Sequence, residues 1–128
     1  MKFTDIQKII KKLHNKSLRA FEDLDKNVIK SIANWRYKEK GGGKSIELHD
    51  GKIIEKGAVN FSAIEGKLIP GSALKSDIRS KDKRFKATGI SIVIHPCNPF
   101  VPCSHLNVRY FEVGSKEWWF GGGFDLTP

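Results

Sequence analysis

From Thr4 to Trp35 apolar residues recur every three or four positions, at Ile6, Ile9, Ile10, Leu13, Leu18, Phe21, Leu24, Val28, Ile29 and Ile32. That spacing is the stripe of an amphipathic helix. Thr4 is placed to cap it, and a break near Asn15 to Ser17 or Asp25 to Asn27 would divide it into two helices. EKGGGKS, residues 39 to 45, ends the pattern, and three consecutive glycines predict a loop. SIELHDGKIIE then reads as a hairpin, because Asp50-Gly51 tolerates positive φ at a tight turn. AVNFSAIEG supplies a further strand, and residues 65 to 87 read as a loop with a short helix. The last third is strand-like throughout: ATGISIVIHP, SHLNVRYFEV, a Gly114-Ser115 turn, and EWWFGGGFDLTP. Short connections predict antiparallel pairing. The expected architecture is a single α+β domain over residues 1–128, helical over 1–36 and mainly sheet over 44–128.

Period two along a strand sets which side chains can converge. Ile90, Ile92 and Ile94 take one face, and Ser91, Val93 and His95 the other. Leu106, Val108 and Tyr110 share one face, and His105, Asn107, Arg109 and Phe111 its opposite. If the two strands are neighbours, their apolar faces pack on the helix. Ser91, His95, His105, Asn107 and Arg109 then gather on one surface, with a cation for an anionic group and two imidazoles able to move protons near neutral pH. A solvated sheet face is the alternative. Asp125, after three glycines that permit close approach of a ligand, adds a carboxylate or is a loop acid.

A chain of 128 residues suits one core. No apolar run is long enough to span a bilayer, so membrane insertion is not expected. The N-terminus lacks the pattern of a secretory signal, which predicts a cytoplasmic protein with reduced cysteines. The formal charge of +9 raises nucleic acid as a partner, but its distribution argues against it. Residues 1–87 hold 21 Lys/Arg and 11 Asp/Glu, whereas residues 88–128 hold 2 and 3. The basic surplus is thus separated from the candidate chemistry and reads as a solvated helix face.

Two short motifs remain. GGGKS lacks the Walker spacing and precedes a strand, so phosphate binding is a weak reading. HPCNPFVPCSH, residues 95 to 105, places His-x-Cys and Cys-x-His about three prolines. Its spacing is uncommon for zinc, and the prolines limit how it could wrap an ion. Structural cysteines are expected rather than a metal knot or a disulfide.

GISIVIHPCNPFVPCSHLNVRYF and WWFGGGFDLTP, with NWRYKEKGGGKSIELHDGKIIEKGAVNFSAIEGKLIP before them, resemble oxygen-dependent coproporphyrinogen III oxidases from Trp35 to Pro128. The resemblance implies an antiparallel sheet flanked by helices, in a homodimer. It implies oxidative decarboxylation of two propionates of coproporphyrinogen III to vinyls, giving protoporphyrinogen IX in haem biosynthesis. O2 would be the electron acceptor and no organic cofactor is implied. Ser91, Asn107, Val108 and Arg109 would contact the substrate, and His105 would donate a proton. Asp125 would face the pyrrole N–H groups, and a divalent metal would sit at His95 and His105.

The resemblance also has departures. The family usually has a basic or polar residue at Cys97 and commonly Thr at Cys103, so the near-palindrome is accidental on this reading. Family chains continue beyond FDLTP, which predicts that this sequence is an N-terminal portion with one sheet edge unpaired and apolar positions uncovered. A porphyrinogen-binding fragment without catalysis is the alternative.

Overall fold

A computed structural model describes residues 2–67, 83–114 and 116–128. One helix, α1 (Phe3–Leu24), is followed by six strands: β1 (Ile29–Arg36), β2 (Lys40–His49), β3 (Ile54–Gly66), β4 (Phe85–Pro96), β5 (Cys103–Val113) and β6 (Glu117–Thr127). The strands lie in sequence order in one antiparallel sheet. The α+β class is as expected, but among the described residues one helix covers one face, not helices around the sheet.

The helix is shorter than its periodicity suggests. It starts at Lys2 rather than Thr4, where the Lys2 N–H donates to Asp5 Oδ2 at 3.2 Å. It stops at Asp25, whose backbone is extended and whose carboxylate is turned back to collect four N–H groups. Oδ1 accepts from Asn27 and Lys52, and Oδ2 accepts from Ile53 and Ile54 at 2.8 and 2.9 Å. These bonds hold the carboxyl below its ordinary value of 3.8, against the opposing effect of burial. Beyond Asp25 the chain runs as β1, so Ile29 and Ile32 point to opposite faces of an edge strand, each about half exposed. The break at Asp25 to Asn27 is therefore real, but it leads into a strand and not a second helix.

The glycine run is also strand. Gly42 and Gly43 pair with Arg36 and Trp35 on one side and with Ala63 and Ser62 on the other, so their backbone groups are committed to two neighbours. None is left to cradle a phosphate. A methyl at Gly43 would lie 2.5 Å from the Trp35 indole, so glycine gives the ring its seat. The Asp50-Gly51 turn forms as expected, with Asp50 at φ 55 and Gly51 N–H donating to Ile54 O at 3.0 Å. KIIE and AVNFSAIEG merge into the single strand β3, while the loop and short helix expected over 65–87 lie mostly outside the described residues. Gly114 turns at φ 63 after β5.

The core lies between α1 and the sheet. Phe3, Ile6, Ile10 and Leu18 meet Ile46, Leu48, Ile54, Val59, Ile90, Ile92, Ile94 and Tyr110. The helical stripe also contains His14, only 2% exposed, whose Nε2–H donates to Val59 O at 3.0 Å. Its hydrogen bond replaces the water it loses. On the opposite face a smaller cluster of Phe85, Ala87 and Val113 gathers Ile64, Phe111 and Trp119. The helix does not reach β6, where Trp118, Phe120, Phe124 and Leu126 are 55–64% exposed, the uncovered apolar positions the sequence predicts.

Candidate functional site

The face of the sheet away from α1 carries the polar residues singled out in the sequence. Directly opposed residues in an antiparallel sheet share a face, so register alone fixes the arrangement. Gly89, Arg109 and Gly121 form one row across β4, β5 and β6. Ser91, Asn107 and Gly123 form the next, and Val93, His105 and Asp125 the third. At one end the rows meet the stacked rings of Phe111 and Trp119, 5.2 Å apart. At the other end stand His95 and Cys103.

Two features make this surface more than a solvated sheet. The first is an imidazole–carboxylate contact between neighbouring strands, His105 Nδ1 to Asp125 Oδ2 at 3.4 Å, which is an ion pair when His105 is protonated. Thr127 Oγ1 donates to the other carboxylate oxygen at 3.4 Å. A carboxylate beside Nδ1 favours the tautomer protonated there and leaves Nε2 open. The second is a glycine floor: Gly89 and Gly121 flank Arg109, and Gly123 flanks Asn107, so a flat ligand could lie close to the backbone. The Arg109 stem crosses Gly89, where an added methyl would lie 3.1 Å from Arg109 Cγ. Arg109 itself is exposed and has no ion-pair partner among the described residues.

Ser91, Asn107, Arg109, His105 and Asp125 thus come together. Val108 does not: its side chain points to the helix side and packs against the core. Any contact it makes with a ligand on this face is through the backbone. His95 shares the face, but its Nδ1 lies 3.1 Å from Cys103 Sγ. Cys97 turns away to donate to Gly51 O at 3.5 Å, and both cysteines are free. The His-x-Cys and Cys-x-His halves therefore do not converge on one ion.

The metal expected at His95 and His105 is not supported by these residues. Among the described residues no three His, Cys, Asp or Glu side chains gather to hold one. The imidazoles stand in different rows, one against a thiol and the other against a carboxylate. A cleft of about 830 Å³ lies elsewhere, lined by Lys11, His14, Trp35, Arg36 and Lys44, and contains none of the expected site residues. Sequence reasoning finds the three glycines before Asp125 but misses that Gly89 joins them, so that the floor runs across β4 and β6 on either side of Arg109. Extending period two from Ser91 back to Gly89 would find it.

The chain matches the family model described as coproporphyrinogen III oxidase over residues 5–128. It is 44% identical over 120 residues to the oxygen-dependent coproporphyrinogen-III oxidase of Prochlorococcus marinus subsp. pastoris, covering 94% of this chain and 35% of that protein. The protein of the same name from Prochlorococcus marinus strain NATL1A is 43% identical over 122 residues, covering 95% and 35%. That from strain MIT 9312 is 45% identical over 116 residues, covering 91% and 34%. The chain thus spans about a third of the length of these relatives, which carry sequence beyond its match. No described helix is long and apolar enough to cross a membrane. With a match that takes in the helix from its third residue and all six strands, glycine floor and His–Asp pair included, this chain belongs to the coproporphyrinogen III oxidase family.

Proposed function

We propose that these residues form part of the active site of an oxygen-dependent coproporphyrinogen III oxidase of haem biosynthesis. The observation that carries the reading is the row arrangement of Arg109, Asn107, Ser91 and the His105–Asp125 pair over the glycine floor, within a chain of this family.

In the proposed reaction each of two propionates loses its carboxylate as CO2 and a β-hydrogen, leaving a vinyl group, two electrons and a proton. The two arms together release four electrons and two protons, which with two further protons from solvent reduce one O2 to two waters. Arg109 meets a propionate carboxylate in fork geometry, and Asn107 and Ser91 orient the same arm. Asp125 faces the pyrrole N–H groups and favours positive charge as electrons leave the macrocycle. Its contact with His105 orients the imidazole to donate a proton. Val108 lends its backbone. O2 is the co-substrate, no organic cofactor takes part, and no step is assigned to a metal. A homodimer in the cytoplasm, without nucleic-acid partners, completes the reading.

The test is CO2 release and protoporphyrin fluorescence after incubation with coproporphyrinogen III in air. It is applied to this chain alone and to a fusion with the remaining two-thirds of the Prochlorococcus marinus relative. Two CO2 per macrocycle from the fusion is the expected result, and a folded fusion that releases none overturns the proposal. Since the chain spans a third of its relatives, the second reading is a porphyrinogen-binding portion without turnover. Binding by the 128 residues with no CO2 would favour it for this chain.

A further inference from the structure

The polar row through Ser91 and Asn107 does not stop at β4. Ser45, Asn60, Ser91 and Asn107 oppose one another in register across β2, β3, β4 and β5, on the same face as Arg109. Asn60 stands out among them. Its Oδ1 is shut off from solvent with no hydrogen-bond partner, and among the described residues its carboxamide is held by no other group. A carbonyl oxygen so placed costs the fold stability, because it has given up water without gaining a donor, although Asn60 as a whole is only partly buried. A Val of comparable size would serve a strand at that position better.

A side chain kept at that cost beside a binding face, with its N–H donors unpartnered among the described residues, is accounted for if those donors serve a ligand. We propose that Asn60 is a substrate-binding residue, its carboxamide donating to one propionate carboxylate of the macrocycle while Arg109 holds another. The inference rests on the coproporphyrinogen reading above. Only Oδ1 is shut off from solvent, so the Nδ2–H donors stay open to an anion on this face, and no described group holds them. β3 and β5 are separated by two strand spacings, roughly 10 Å. Asn60 and Arg109 therefore reach different arms of one flat ligand. Between them lies Ser91, small enough to leave the face open, next to Gly89 with the Arg109 stem across it.

Asn60→Val, Asn60→Asp and Arg109→Ala are compared with the parent 128-residue chain. Coproporphyrinogen III is titrated under argon by equilibrium dialysis, and melting is followed by circular dichroism. Asn60→Val should melt at or above the parent temperature and bind roughly tenfold more weakly, the factor of one charge-assisted hydrogen bond. Asn60→Asp, close in shape but anionic, should bind more weakly still. Unchanged affinity in Asn60→Val overturns the inference. So does a melting temperature that falls along with affinity, which would make Asn60 structural, or parent-like binding by Asn60→Asp, which would mean that no carboxylate meets it. If Arg109→Ala weakens binding and the Asn60 variants do not, only this inference fails. If the parent chain does not bind the macrocycle, the underlying reading fails for this chain as well.

Discussion

Truncating Arg109 to alanine separates binding from folding more cleanly than any other change on the candidate face. The side chain is exposed, crosses Gly89 and has no ion-pair partner among the described residues. Its removal should therefore leave stability within about 0.5 kcal/mol of the parent. For a chain of this size that is a melting shift of about 2 °C. On the proposed reading the ligand loses much more. A hydrogen bond to a charged group contributes about 1.5–3 kcal/mol, and each 1.4 kcal/mol is tenfold in affinity, so Kd for coproporphyrinogen III should rise roughly ten- to a hundredfold. Arg109→Lys keeps the charge but loses the planar fork, and should recover only part of that. Raising the salt concentration should weaken the parent chain more than Arg109→Ala, since only the former has this charge to screen. Anaerobic dialysis in low and high salt, with thermal melts in parallel, supplies every number. Parent-like affinity in Arg109→Ala would refute the anion-binding role, and a large fall in melting temperature would show that the residue serves the fold.

Ile10 is 3% exposed on the inner face of α1 and Ile9 is 54% exposed on its outer face, so Ile10→Ala should cost about 2–5 kcal/mol and Ile9→Ala little. Thermal melts should show falls of about 8–20 °C and a few degrees at most, respectively. Asp25 has a lowered pKa, so its contribution is present above pH 3.8 and is lost as pH falls through the depressed folded value. Asp25→Asn should flatten that acid limb in urea titrations at stepped pH, and should weaken the fold at neutral pH, where four N–H groups share the carboxylate. Burial, then Glu112, pushes the Tyr110 hydroxyl up to about 12, so its contribution is complete below pH 10 and is lost as pH rises through the folded value. Tyr110→Phe should lack this alkaline decline in the same titrations.

Where side chains alternate between a core and an open face, the sequence is a sound guide. Ile90, Ile92 and Ile94 and then Leu106, Val108 and Tyr110 do face the helix, and the polar partners fall together because strands of matched period pair in register. The errors lie where one pattern serves two structures. Val28, Ile29 and Ile32 continue a helical spacing, yet the carboxylate of Asp25 ties the helix end to a turn 27 residues further on, a tertiary bond no local pattern contains. Gly41 to Gly43 read as a loop because glycine usually marks one, but between two strands the lack of side chains suits the approach of Trp35. Asn60 escapes notice in the sequence because an Asn in a strand carries no signal until its partners, or their absence, are known.

Each strand pairs only with its neighbours in sequence, and that order bears on how the chain folds. Three of the five strand connections span only a few residues, so those hairpins close with little loss of chain entropy and can zip in succession. β1, β2 and β3 can be complete before β4 leaves the ribosome. Helix α1 is different, because its contacts on β3 and β4 close loops of tens of residues. Docking of α1 should then be a late event, waiting on the arrival of β4. Substitutions at Ile10 should mainly speed unfolding, whereas changes at the Asp50-Gly51 turn should slow folding.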